Sequence, residues 1–153
     1  MKNTLVVCIG NRLVGDDAVG PVIYDKLKEM DLSQGAELKL LGVGGIALLD
    51  FLDGQDRLIV VDAVRFGAPS GTLHLFSGET LRTYQGMPVT SHDISLRETI
   101  AVGETLYPEK MPMELVFLGI EGESFDELGS PLSPSVAAVV NRAVETVLEH
   151  IRT

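Results

Sequence analysis

Three stretches of this sequence are almost continuously apolar and β-branched, and they constrain the fold more than any other feature. They lie at residues 3–9, 57–61 and 113–120. A strand with one face in water alternates polar and apolar residues, whereas a strand covered on both faces is apolar throughout. The three stretches therefore predict the buried strands of a mostly parallel sheet, with helices packed on both of its faces.

Helical and strand-like segments alternate along the rest of the chain. Helices are predicted at residues 19–30, at residues 46–52 before Gly54, from about residues 91–95 to a stop at Gly103, and in a closing helix that Ser133 caps and Pro134 begins. Further strands are predicted at residues 37–41 and, as an edge strand, at residues 72–76. This alternation predicts a three-layer α/β/α sandwich with a mostly parallel, twisted five-stranded sheet, in a single domain of residues 1–153.

Composition excludes several classes of protein. With 45% hydrophobic residues the chain is too apolar to be disordered, and a net charge of −10 argues against a nucleic acid as partner. The longest apolar stretches fall far short of the roughly 20 residues that cross a bilayer. The amino terminus lacks the pattern of a signal peptide, so we expect a cytoplasmic protein. The single cysteine, Cys8, lies in the first strand and is expected to be a buried apolar residue.

Acidic side chains follow two of the predicted strands. Asp16 and Asp17 come soon after the first strand, and Asp62 ends the third. In the common doubly wound order these strands are neighbours, and ligands bind beyond the carboxyl ends of such strands. His92, on a further loop, could complete a three-ligand site for a divalent ion. Each residue also has a structural interpretation, as a helix cap, a turn or a surface histidine.

A glycine-rich segment at residues 42–47 offers a competing interpretation. It fits G-x-G-x-x-A between a strand and a helix, and Asp62 lies about 20 residues further on, where a dinucleotide-binding unit places its ribose-binding acid. However, Gly54 cuts the helix short and the unit starts at the second strand. The structural interpretation is that the glycines allow a tight turn beside the cleft.

Nucleophilic catalysis has little support in the sequence. The chain contains no G-x-S-x-G or H-E-x-x-H motif, and Cys8 lies within a strand. His74, in the edge strand, and His150, in the last helical turn, are assigned no catalytic role. A hydrolase of this sequence would therefore depend on a metal ion.

Three ordered motifs resemble the hydrogenase maturation endopeptidase family. C-I-G-N-R-L-V-G-D-D-A-V-G at residues 8–20 is similar to the family signature G-N-x-L-x-x-D-[DE]-x-x-G. L-I-V-V-D-A-V at residues 58–64 resembles its second acidic segment, and S-H-D-I-S-L at residues 91–96 resembles its histidine segment. The resemblance covers essentially the whole chain.

The resemblance implies which residues act. The family's metal-contacting residues fall on Asp17, Asp62 and His92, which makes Asp16 structural, and Gly44 and Gly45 would let the substrate backbone approach closely. The implied activity is an endopeptidase that removes a C-terminal extension from the nickel-loaded large-subunit precursor of a nickel-iron hydrogenase. The implied nickel belongs to the precursor, although other divalent ions could occupy the site in vitro.

Several alternatives stay open at this point. His92 could be a ligand or a base. The chain could instead be a nickel-binding assembly factor that cuts nothing or, through the glycine-rich segment, a dinucleotide-binding protein. We expect the protein to act as a monomer, without nucleic acid or membrane.

Overall fold

A computed structural model describes residues 3–32, 36–42, 45–83 and 96–153. Its strands form one five-stranded sheet in the order β2-β1-β3-β5-β4. The strands are β1 (Thr4–Ile9), β2 (Ala36–Leu41), β3 (Arg57–Val64), β4 (Leu73–Ser77) and β5 (Glu114–Glu121). Neighbouring strands are parallel except for β4, which pairs with β5 in the antiparallel sense. The predicted fold class and the predicted edge strand are thus both confirmed, and the structure adds that this edge strand is antiparallel.

Helices cover both faces of this sheet. They are α1 (Val19–Lys28), α2 (Gly78–Thr83), α3 (Leu96–Leu106), α4 (Pro134–Ala137) and α5 (Val140–Arg152). Three 3-10 segments, Gly15–Ala18, Gly45–Phe51 and Pro108–Lys110, complete the described elements. Helices α1, α4 and α5 pack on one face, while α2, α3 and the 3-10 segment Gly45–Phe51 pack on the other.

Side chains of the central strands alternate between these two layers. In β3, Ile59 and Val61 face α1 and α5, whereas Leu58, Val60 and Val64 face the opposite layer. All eight residues of β3 are buried. The continuous apolar runs arise because both faces of the strand need apolar side chains.

Two strand and helix predictions near the site need correction. Asp62 does not end β3, because Ala63 and Val64 continue the pairing with β5. The short helix predicted at residues 46–52 is present as a 3-10 helix, Gly45–Phe51, so its bounds shift by one residue.

Two helix ends were also predicted wrongly. Gly103 does not end α3, since the helix continues to Leu106. A Cβ atom at this glycine would lie 2.4 Å from Met111 Sδ, so the glycine permits close packing. The closing helix divides into α4 and α5 at Val139, whose φ of −105° and ψ of 1° leave the helical region. The spacing of apolar residues is the same on both sides of the break, so the sequence pattern could not reveal where the helix is interrupted.

No helix within the described ranges is both long enough and apolar enough to cross a membrane.

Candidate active site at the carboxyl edge of the sheet

Two glycines allow the chain to turn back tightly after β1. A Cβ atom at Gly10 would lie 2.1 Å from the backbone oxygen of Asp17, and a Cβ atom at Gly20 would lie 2.1 Å from the oxygen of Ile9. Both distances are far below van der Waals contact. The loop with its two aspartates and the start of α1 are therefore pressed against the end of β1, which explains physically why both ends of this segment carry glycine.

Asp16 is buried and fully engaged in holding a distant loop. Its carboxylate accepts hydrogen bonds from the backbone N–H groups of Glu123, Ser124 and Ser133, at 2.7 to 2.9 Å, and from the Ser133 hydroxyl at 2.8 Å. Burial by itself would raise the pKa of Asp16. The four hydrogen bonds together have a larger effect, and they lower the pKa below its ordinary value of 3.8. The residue has the structural role expected of it.

This arrangement also corrects the capping predictions. Ser133 precedes α4 without capping it, because its hydroxyl donates to Asp16 instead. Neither aspartate is the N-cap of α1, since both lie within the 3-10 segment Gly15–Ala18 and the N-cap position is Ala18.

Asp17 is held over the end of β1. The residue is buried, and its Oδ2 accepts the backbone N–H of Asn11 at 3.0 Å. The Asn11 side chain accepts the N–H of Leu13 at 2.9 Å, which orders the same loop. Arg12 donates two hydrogen bonds to Asp25 at 2.6 and 2.8 Å. The loop thus fixes the Asp17 carboxylate while directing the neighbouring cation towards α1.

Asp62 lies on β3, beside the strand that leads to Asp17. Strands β1 and β3 pair in parallel with Cys8 opposite Val61, so Asp62 lies one step beyond this pair, level with Ile9. Its Oδ1 accepts the N–H of Ala63 at 2.8 Å, and the residue is buried. The 3-10 segment that carries Asp17 contacts β3. Both segments therefore meet at one edge of the sheet, each with a buried carboxylate oriented by a backbone N–H.

Of the other predicted site residues, the structure describes only Gly45. His92 and Gly44 lie outside the described residues. Gly45 begins a 3-10 segment with a positive φ of 82°, a conformation that favours glycine. In the described part of the chain, no group of three or more His, Cys, Asp or Glu side chains has the arrangement of a metal site. Asp17, Asp62 and His92 as a metal-binding set therefore stay a prediction.

The glycine-rich segment does not lie in a dinucleotide-binding arrangement. It follows β2, the edge strand, and β1 separates β2 from the strand that carries Asp62. A dinucleotide-binding unit needs the acid on the strand next to the glycine-rich turn, and an α-helix whose amino terminus binds the pyrophosphate. The segment after Gly45 is a 3-10 helix instead.

Sequence reasoning missed a second polar group at this edge. Glu121, at the end of β5, is buried, and its Oε1 lies 3.0 Å from Nε2 of His74 in β4. Both carboxylate oxygens also accept the N–H of Phe66, at 3.1 and 2.9 Å. A signal was present in the sequence, because an acid that closes a buried apolar run requires a partner.

Comparison with known proteins agrees with this architecture. A sequence profile of the hydrogenase maturation protease family, HycI, matches residues 22–150. A putative hydrogenase maturation protease of Methanocaldococcus jannaschii is 30% identical, over 99% of this chain and 97% of the relative. The hydrogenase maturating endopeptidase HybD from Escherichia coli has a similar structure, with a TM-score of 0.77, 26% identity, and coverage of 99% of this chain and 93% of HybD. The nickel-iron hydrogenase maturation protease HybD from Thermococcus kodakarensis also gives a TM-score of 0.77 at 26% identity, over 99% of both chains.

These matches define the class of enzyme, a peptidase hydrolase with an α/β fold. More specifically, the chain belongs to the hydrogenase maturation protease family.

Proposed function

We propose that this protein removes the C-terminal extension from the nickel-loaded large-subunit precursor of a nickel-iron hydrogenase. The observation that supports this most directly is the meeting of two buried carboxylates, Asp17 and Asp62, at the carboxyl edge of neighbouring parallel strands. Family membership supplies the peptidase activity. The nickel in this proposal belongs to the substrate.

The donor set suits a divalent ion of the precursor. Ligating carboxylates are normally held by further hydrogen bonds, and here backbone N–H groups orient Asp17 and Asp62. Carboxylates and an imidazole are ligands that nickel accepts. We propose that Asp17, Asp62 and His92 complete the coordination of nickel already held by the precursor, so that only the loaded form places its scissile bond correctly.

Peptide hydrolysis then requires a water molecule beside that bond. The water oxygen attacks the carbonyl carbon, the C–N bond breaks, and the leaving amine takes up a proton. An ion that polarises the carbonyl or acidifies the water lowers this barrier. We propose further that Gly44 and Gly45 admit the precursor backbone, and that the protein acts as a cytoplasmic monomer.

The central test compares loaded and unloaded precursor. The protein is incubated with each form, and the large subunit is weighed by mass spectrometry. We expect the tail to be lost from the nickel-loaded form alone. Intact loaded precursor that still binds the protein would favour the non-catalytic assembly factor instead.

Substitutions test the three site residues one at a time. Asp17→Ala, Asp62→Ala and His92→Ala should each abolish processing while the circular dichroism spectrum stays that of the wild type. Binding of loaded precursor separates the two roles of His92: a ligand variant loses binding, whereas a base variant binds and does not cut. Processing at the normal rate by any variant would remove that residue from the site.

A further inference from the structure

Asp62 shares one face of the sheet with a second polar pair. In the strand register Asp62 lies opposite Gly119 of β5, and Gly119 lies opposite His74 of β4. Two residues further along β5, Glu121 lies opposite Val64 of β3. Side chains two residues apart on a strand share a face, so Asp62, Glu121 and His74 all belong to the face that Val64 and Phe117 also occupy.

Glu121 connects three segments around the end of β3. Its side chain accepts the N–H of Phe66, which follows β3, and pairs with Nε2 of His74 in β4. Its backbone N–H donates to Thr72 at 2.8 Å, and its carbonyl accepts the N–H of Gly71 at 2.8 Å. The residue is only 2% exposed. One buried acid therefore fixes where the chain goes after it leaves β3.

Aromatic rings hold His74 in the orientation that this contact needs. The imidazole packs edge-on against Phe66, with 5.0 Å between ring centroids, and stacks on Phe76 at 6.1 Å. A carboxylate offers acceptors only, so Nε2 of His74 is the donor to Glu121. The imidazole and the backbone N–H of Phe66 thus both bind Oε1 of Glu121.

We propose that Glu121 and His74 form a positioning pair for Asp62. The pair fixes Phe66, just beyond the end of β3 and four residues after Asp62, so that the Asp62 carboxylate, which accepts the N–H of Ala63, keeps the orientation required by the metal-bearing substrate. This inference rests on the proposed function for the role of Asp62. Neither Glu121 nor His74 is required to touch the substrate.

The chain offers a matched pair of substitutions for the test. Glu121→Gln alters the acid at the carboxyl end of β5, and Glu114→Gln alters the acid at its amino end, which pairs with Arg57 of β3. Altering a direct hydrogen-bond partner of a metal ligand typically changes activity about 10- to 100-fold, and Glu121 acts on Asp62 only through the segment that follows β3. We therefore expect Glu121→Gln to lower kcat by about 10-fold, at the lower end of that range, with KM little changed, and Glu114→Gln to leave both at wild-type values.

His74→Phe supplies a second variant that preserves ring packing. It removes the donor to Glu121 and keeps an aromatic ring between Phe66 and Phe76, so we expect kcat to fall as it does in Glu121→Gln. Because this variant does not alter the acid itself, it tests the pair even if Glu121→Gln fails to fold.

A spectroscopic measurement separates this inference from the proposed function. The amide resonance of Ala63 reports the hydrogen bond to Asp62, and it can be followed in NMR spectra without substrate. We expect it to shift in Glu121→Gln and His74→Phe but not in Glu114→Gln. An unmoved Ala63 resonance in the first two variants, or wild-type kcat in both, would overturn the positioning role. If wild-type protein cuts no precursor while the Ala63 resonance shifts as expected, the proposed function fails and the structural coupling stands.

Discussion

The adjacent residues Asp16 and Asp17 have different roles because their side chains lie in different surroundings. Asp16 has its carboxylate surrounded by four donors from residues 123, 124 and 133. Asp17 receives the N–H of Asn11 in its own loop and faces the end of β1. One acid therefore joins two distant parts of the chain, and the next is held at the edge where we propose chemistry occurs.

The first prediction concerns Asp16 and acid stability. Its pKa is lower in the folded protein than the ordinary value of 3.8, so its contribution to stability is complete above pH 3.8 and is lost as pH falls through the folded pKa. Asp16→Asn leaves buried donors without acceptors, at about 1–3 kcal/mol each. We expect urea unfolding at pH 7 to show a loss of at least about 2 kcal/mol, and the acid-dependent decline to be shallower in the variant.

Asp25→Asn is the control for this prediction. The pKa of Asp25 is also lowered, chiefly by its hydrogen bond with Arg12, but its side chain is 50% exposed. Exposed ion pairs contribute under about 1 kcal/mol. Equal losses in the two variants would contradict the structural role of Asp16.

The sequence alone could not distinguish these two aspartates. Both follow the first strand, and the partners of Asp16 lie more than 100 residues away, with separations of 107, 108 and 117. Local spacing carries no information about such partners. Only the family resemblance assigned Asp17, and not Asp16, to the site. The glycines at positions 10 and 20 are different, because the structure shows a steric reason for each of them.

At the scale of elements, Arg57 joins the start of β3 to the end of α5. It is buried, with Nε and Nη2 donating to Glu114 at 3.1 and 2.9 Å. Its Nη1 donates to the carbonyl of His150 and, at 3.0 Å, to the hydroxyl of Thr153. A cation at a helix carboxyl terminus satisfies carbonyls that the helix itself leaves unpaired.

The second prediction follows from this contact. Arg57→Met should cost about 2 kcal/mol, because the His150 carbonyl loses one of its two donors and the last turn of α5 is released. Amide hydrogen exchange should accelerate in that turn before it does in β3. Glu114→Gln should cost under about 1 kcal/mol, since its side chain is 49% exposed. Unchanged exchange in Arg57→Met would show that packing alone holds α5.

Whether an element could be predicted depended on the kind of residue pattern that its sequence carries. The buried strands β1, β3 and β5 were predicted from continuous apolar runs, and the edge strand β4 from alternation. Helix ends were predicted less well, because Gly103 serves packing against Met111 and the break at Val139 leaves the apolar spacing unchanged. Segment α2 was not predicted at all. Tertiary contacts decide these features, and local spacing does not record them.

At the scale of the whole molecule, Cys8 reports whether the fold is intact. It is completely buried in β1, next to the central strand β3. Burial, with smaller contributions from the charges of Asp25 and Asp62, raises its pKa from 9.0 to about 12. The thiolate is the reactive form, so this shift alone lowers its population near pH 8 by about a thousandfold.

The third prediction uses this thiol as a probe of global unfolding. Iodoacetamide should leave the native protein unmodified over a period in which the protein in urea gains one adduct by mass spectrometry. The labelling rate should rise in Asp16→Asn by about tenfold for each 1.4 kcal/mol of lost stability, because Cys8 becomes accessible only when the sheet opens and the open population depends exponentially on the free energy of unfolding. Rapid labelling of the native wild-type protein would contradict the burial of β1.

The position of β5 in the sheet has a consequence for synthesis on the ribosome. Strand β5 lies between β3 and β4 but is made after both of them. Until residues 114–121 emerge, the nascent chain carries an open edge on β3 and a β4 segment without the strand to which it pairs. Open strand edges are templates for association with other chains. Translation that stalls before β5 would therefore leave a fragment that depends on chaperones to stay unaggregated.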